Sequence, residues 1–113
     1  MKHWISYLEN EEGKEVIYHD YGLIAYKVIG TELMITDFFI DPETRSKGLA
    51  LTLSQEAEKF ARRQKCVVMS CNVYINEKNK GMFPRKIALF TEFGFEVLEA
   101  NNNIITMIKR LGE

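Results

Sequence analysis

Apolar and polar positions change rhythm partway along the chain. In the first forty residues the apolar positions come in short runs separated by polar or glycine-containing turns. His3 to Leu8, rich in aromatic and β-branched residues, predicts a first strand, and Glu9-Asn10-Glu11-Glu12-Gly13-Lys14 a polar turn. Glu15 to His19 predicts a second strand, Asp20-Tyr21-Gly22 a turn, and Leu23 to Ile29 a third strand. Gly30-Thr31-Glu32 then leads into a fourth, Leu33 to Ile40. Short strands joined by tight turns predict an antiparallel meander.

From Gly48 the period lengthens. Leu49, Leu53, Ala57, Phe60 and Ala61 recur at helical spacing, with Gln55, Glu58, Lys59 and Arg62 on other faces, so Gly48 to Lys65 predicts an amphipathic helix. Arg62-Arg63-Gln64-Lys65 closes it with positive charge, which suits a helix C-terminus and reads as a solvated end. Cys66 to Val73 is a continuous apolar run, the mark of a buried and parallel strand reached by a crossover through the helix. A polar loop, Asn76-Glu77-Lys78-Asn79-Lys80-Gly81, precedes a second helix. Pro84 suits that helix's first turn and Gly94 its end. Phe95 to Glu99 and Ile104 to Leu111 predict two last strands around an Asn101-Asn102-Asn103 turn. The order is four strands, helix, strand, helix, two strands. With no repeat and no linker, residues 1–113 read as one domain of the α+β class.

Composition narrows the function classes. The chain is 46% apolar and 27% charged with a net charge of −1, which argues against a nucleic-acid-coating protein. It has no apolar run long enough for a bilayer and no signal-peptide core near Met1, so the expected compartment is the cytoplasm. Cys66 and Cys71, five positions apart in one predicted strand, point to opposite faces and read as buried free thiols. His3 and His19 stand apart from them, so no metal site is expected.

One segment carries chemistry. Arg45-Ser46-Lys47-Gly48-Leu49-Ala50 follows an apolar strand and an Asp41-Pro42-Glu43-Thr44 turn, and opens a helix. Backbone N–H groups at a helix start lack intrahelical partners, and the helix dipole adds positive potential there. Glycine lets a ligand approach the main chain. Such a basic, glycine-containing loop is suited to phosphate.

Three pieces in order resemble the GCN5-related N-acetyltransferase (GNAT) family. Arg45-Ser46-Lys47-Gly48-Leu49-Ala50 fits the family's acetyl-CoA signature, Arg/Gln-x-x-Gly-x-Gly/Ala. Ile35-Thr36-Asp37-Phe38-Phe39-Ile40-Asp41-Pro42 resembles its fourth strand, and Ala88-Leu89-Phe90-Thr91-Glu92-Phe93-Gly94-Phe95 its second helix ending. The resemblance implies a mixed sheet of six to seven strands with two main helices, in the order β-β-β-β-α-β-α-β-β. It implies a small N-acetyltransferase that moves an acetyl group from acetyl-CoA to an amine of a protein or small molecule by direct attack. Acetyl-CoA would be the cosubstrate, and no metal is implied. The N–H groups of Ser46 to Ala50 would wrap the pyrophosphate, with Arg45 and Lys47 adding charge. The main chain of Phe38, Phe39 and Ile40 would pair with the pantetheine arm, in a gap where two strands splay.

The chain departs from the family's pattern in four places. Phe90 stands where a tyrosine acid is frequent, and Phe83 where an asparagine is often found. Thr36 and Asp37 stand where many members carry a glutamate; Asp37 is the nearest carboxylate and the candidate base, unless it merely caps a turn or pairs with a basic group. Tyr74 and Cys71 are the alternatives for an acid. The two helices expected between the first and second strands have no room in Glu9 to Lys14. A missing wall there leaves an open acceptor cleft, a macromolecular substrate, or a wall from a second subunit, as in a homodimer. The aromatic Trp4, Tyr7, Tyr18, Tyr21 and Tyr26 read as packing, with any exposed share a dimer or partner surface. The alternative function is a non-catalytic acetyl-CoA-binding regulatory module.

Overall fold

In the computed structural model, residues 2–43, 48–75 and 83–112 are described. The elements in chain order are α1 (Lys2–Asn10), β1 (Glu15–His19), β2 (Gly22–Ile29), β3 (Glu32–Ile40), α2 (Leu49–Arg63), β4 (Val68–Tyr74), α3 (Phe83–Glu92), β5 (Glu96–Ala100) and β6 (Ile104–Arg110). Six strands form one sheet in the order β1-β2-β3-β4-β6-β5. The β3–β4 pair is parallel and the others are antiparallel, which makes the sheet mixed. The predicted loop, Asn76 to Gly81, lies outside the described residues.

The first element corrects the sequence reading. His3 to Leu8 is not a strand but part of helix α1. Ile5 and Leu8, three apart, are its buried residues, and Asn10 Nδ2 donates to Ser6 Oγ one turn back at 3.0 Å. That is helical spacing. Aromatic and β-branched composition favours a strand, but the apolar positions repeat at helical spacing, and the helix buries Ile5 and Leu8 while Trp4 and Tyr7 stay exposed. The sheet therefore has six strands, and its first edge is β1.

Two cores lie on opposite faces. On one face α1 covers Leu23 and Ala25 of β2, with Val16 and Phe39 packed alongside. On the other, α2 and α3 supply Leu53, Ala57, Ala61 and Phe90 against Ile24, Leu33, Met69, Val73 and Met107. Leu23, Leu33, Leu53, Met69 and Met107 are wholly inaccessible to solvent. At about 25 cal/mol per Å² of apolar surface, each fully buried side chain of this size contributes about 1.5–3 kcal/mol.

Cys66 precedes β4 instead of starting it, and its N–H donates to Ala61 O at 2.9 Å. Cys66 and Cys71 thus share the α2–α3 core and do not lie on opposite faces, because strand alternation does not reach Cys66. Both are free and buried, as expected. Helix α2 is pinned to β6 through Glu58, whose carboxylate lies 2.6 Å from Lys109 Nζ and 3.2 Å from Arg62 Nε. Arg62 also donates to Leu111 O at 2.8 Å, so part of the basic helix end is used within the fold.

Candidate active site

A cleft opens where β3 and β4 part. The two strands pair from Glu32↔Val68 to Ile35↔Cys71 and no further, although β3 continues to Ile40 and β4 to Tyr74. Thr36, Asp37 and Phe38 line one side, Cys71, Asn72 and Val73 the other, and Trp4 of α1 and Lys86, Leu89 and Phe90 of α3 complete it.

A bulge in β3 decides what faces this cleft. Tyr26 pairs with Ile35, but Ala25 pairs with Asp37, leaving Thr36 as the extra residue. Plain alternation from Ile35 would put Asp37 on the same face as Ile35, in the α2–α3 core. The extra residue reverses the parity. Phe38 and Ile40 now join the α2–α3 core, while Phe39 joins the α1 core. Asp37, opposite Ala25, takes the α1 face, and Thr36 Oγ lies 3.3 Å from Ala25 O.

There Asp37 meets Lys14, which arrives on the link from α1 to β1. Lys14 Nζ donates to Asp37 Oδ2 at 2.8 Å, and Thr36 Oγ donates to the same oxygen at 2.9 Å. Glu12 lies on the other side of Lys14 at 3.3 Å. The Lys14 side chain is only 11% exposed. Burial works against its charge, but the hydrogen bonds and charges of Asp37 and Glu12 outweigh that and raise its pKa, so Lys14 is cationic at neutral pH. The expected alternative for Asp37, pairing with a basic group, therefore holds in this structure.

The aromatic floor joins β3 to α3. Phe90 meets Phe38 edge-on at 5.7 Å, Phe93 at 5.6 Å and Phe95 at 5.2 Å. Edge-to-face pairs of this kind add about 0.5–1.5 kcal/mol each beyond area burial. Phe90 is buried here and brings no ionisable group to the cleft. Trp4 meets Phe39 edge-on at 5.7 Å on the α1 side. Contrary to the expectation of a missing wall, α1 supplies one.

The two alternative acids fare differently. Cys71 lines the cleft, but burial pushes its thiol up to about 12, with Lys86 nearby pulling the other way. A thiol that weakly acidic is a poor donor to a leaving thiolate. Tyr74 is 55% exposed at the end of β4 and is not among the cleft residues.

Helix α2 begins at Gly48, which has φ 72° and ψ 10°, a left-handed conformation that favours glycine. No side chain caps this end and its first turn holds no acidic residue. A Cβ placed on Gly48 would meet nothing within 4 Å, so the approach to the helix start is open on that side. Leu49 and Ala50 form the first turn. These features suit an anion. Arg45, Ser46 and Lys47 lie outside the described residues, as does the Phe83 side chain. Among the described residues no group of three His, Cys, Asp or Glu could hold a metal.

The sequence pattern singled out Asp37, Phe38 and Phe90, which line the cleft, but missed Trp4, Asn72 and Lys86 there and Lys14 beside Asp37. Lys14 follows Gly13, which has φ 65°, and its place depends on a helix read as a strand. The adjacent pairs Trp4-Ile5 and Tyr7-Leu8 were the available signal.

Comparison with known proteins agrees with this geometry. The model of the "Acetyltransferase (GNAT) family" matches residues 4–95. Ard1 from Thermoplasma volcanium superposes with a TM-score of 0.69 at 21% identity, over 95% of this chain and 76% of that one. PaiA N-acetyltransferase from Thermoplasma acidophilum, solved in complex with coenzyme A, gives 0.67 at 20% identity, over 91% and 65%. Nourseothricin acetyltransferase gives 0.69 at 19% identity, over 84% and 62%. The chain spans less than two thirds of the length of the last two. A search of curated proteins gives no match.

Proposed function

The chain belongs to the GNAT acetyltransferase family, and on that premise we propose that it transfers an acetyl group from acetyl-CoA to an amine of a protein or small molecule. The observation that carries this reading is the parting of β3 and β4 after Ile35 and Cys71. It leaves an extended cleft between two parallel strands, suited to a narrow, amide-bearing arm such as pantetheine. The main chain of Phe38, Phe39 and Ile40 would pair with that arm, and Phe90 would pack beside it. The amides of Gly48, Leu49 and Ala50 would take the pyrophosphate, with Arg45, Ser46 and Lys47 completing the loop.

Transfer would be direct. The amine nitrogen attacks the thioester carbonyl carbon, a C–N bond forms, and the C–S bond breaks with its electron pair on sulfur. The surplus proton on nitrogen passes to Asp37, the carboxylate nearest the gap, and from there to solvent. A main-chain N–H of the Phe38–Ile40 stretch would stabilise the oxyanion. We place this single domain in the cytoplasm; separately, among the described residues no helix is long and apolar enough to cross a membrane.

A second reading, a non-catalytic acetyl-CoA-binding regulatory module, is favoured by the pairing of Asp37 with Lys14 and by the phenyl ring of Phe90. Two assays separate the readings. Acetyl-CoA raises the melting temperature under both, because a ligand bound only to the folded state stabilises it. Thiol release over a panel of amines occurs only for the enzyme. No thermal shift at millimolar acetyl-CoA would remove both.

A further inference from the structure

We propose that Lys14 and Thr36 are positioning residues that hold one oxygen of Asp37 so that its other oxygen receives an N–H of the acceptor amine. The inference rests on the acetyltransferase reading and deepens it at the acceptor side.

The argument begins with the division of labour on the Asp37 carboxylate. Both donors, Lys14 Nζ at 2.8 Å and Thr36 Oγ at 2.9 Å, engage Oδ2. Among the described residues Oδ1 has no donor. Two donors on one oxygen hold that oxygen in place and so oppose rotation of the carboxylate. Lys14 is itself held, since Glu12 lies 3.3 Å from it and its side chain is nearly buried. Thr36 is the bulge residue, so the feature that turns Asp37 to the α1 face also supplies its second anchor. Asp37 nonetheless lines the cleft. A carboxylate tied on one oxygen and open on the other accepts one N–H in a defined direction, which is what a nucleophilic amine needs at close range. A cationic partner outside the cleft also offsets the Asp37 charge, so an acceptor would be recognised by direction as well as by charge.

The test uses Lys14→Met, Lys14→Arg, Asp37→Asn and the Lys14→Met/Asp37→Asn double variant, in an acetyl-transfer assay against a primary amine. Lys14→Met lowers kcat by ~100-fold, the scale of a misplaced reacting group, while KM for acetyl-CoA is unchanged. Lys14→Arg keeps most of the rate. The double variant is no slower than Asp37→Asn alone, because the two residues act as one unit. It also removes both charges together, so it folds even if Lys14→Met alone does not. Equal kcat for Lys14→Met and wild type, or additive losses in the double variant, overturn the inference and leave the acetyltransferase reading intact.

A second readout does not require turnover. Propylammonium added to the coenzyme A-bound protein, which has no acetyl group to transfer, shifts the amide resonances of Thr36, Asp37 and Phe38. The shift persists in Lys14→Arg and disappears in Asp37→Asn. Failure of wild type to bind propylammonium, with coenzyme A bound, overturns the inference. Failure to bind acetyl-CoA overturns the underlying reading as well.

Discussion

The two halves of β3 run through the same sheet and meet different neighbours. From Glu32 to Ile35 the strand is paired on both sides, with β2 and with β4, and Leu33 is wholly buried beside Met69. Its polar group is also used within the sheet: Ser70 Oγ donates to Glu32 Oε2 at 2.5 Å. From Thr36 to Ile40 the β4 pairing is gone, and a threonine and a carboxylate line a cleft, with Lys14 paired to the carboxylate from outside it. A single extra residue separates the regimes. The first half gives stability by burial, and the second gives up strand pairing to leave a gap that a ligand can fill.

The largest expected effect breaks the closed half. Met69→Ala removes a side chain with no solvent exposure from the first part of β4. It should cost about 2–5 kcal/mol, read as a lowered urea midpoint at unchanged slope. Asn72→Ala, only three residues along the same strand but exposed, should stay within ~0.5 kcal/mol. Similar losses at both positions would mean that the two halves share one kind of packing.

The second effect belongs to the ligand. Gly48→Glu places a carboxylate at an open helix start and forces a side chain onto φ 72°. The backbone term is about 1–2 kcal/mol. The acetyl-CoA-induced stabilisation, about 2.7 kcal/mol at a hundredfold excess over Kd, should vanish altogether. Gly48→Ala carries the same backbone term without the charge, so a retained thermal shift in that variant identifies repulsion of the anion as the cause.

How far the sequence made these two halves legible follows from the range of the signals. The helix after Gly48, the β4 run and α3 between Pro84 and Gly94 depend on local periodicity and end residues; the elements are where the pattern puts them, with ends that shift, as at Cys66, which precedes β4. The first helix was hidden because nine residues offer only about two and a half turns of pattern and its aromatics also favour strands. The parity change at Thr36 left no local signal, since a bulge is a relation between β3 and β2. Asp37 could be singled out by its chemistry, but its partner Lys14 lies 23 positions away and reaches it only through the fold.

A smaller effect separates the halves by pH. Glu58 fastens α2 to β6; burial raises its pKa, but Lys109 and Arg62 outweigh this, leaving it below the ordinary 4.5. A lowered carboxylate pKa contributes stability that is present above the unfolded value and lost as pH falls through the folded one. Lys14 has a pKa above the ordinary 10.5, so its contribution is complete below that pH and lost as pH rises through the folded value. At pH 7, Glu58→Gln and Lys14→Met should each cost about 1 kcal/mol. The Glu58→Gln difference should close in acid, below pH 4.5, and the Lys14→Met difference in alkali, above pH 10.5. Urea midpoints across the range check both signs, and a common window for the two would contradict the assignment.

The smallest expected effect concerns Phe90, where the family often carries a tyrosine. The ring is 5% exposed and held edge-on by Phe38, Phe93 and Phe95 while it lines the cleft. Phe90→Tyr adds one hydroxyl where a donor to the leaving sulfur would be useful. A general acid that acts in the rate-limiting step is worth ~10²–10⁴ in rate. Cys71, with a thiol near 12, gives no such help in the native cleft. If the thiolate leaves as an anion, the open half needs only to align the amine, and Phe90→Tyr changes kcat by less than the ~10² expected of an acid. A gain of that size would show that the cleft lacks an acid it needs. The limiting step would then be departure of the thiolate, and the alignment of Asp37 by Lys14 would matter correspondingly less to kcat.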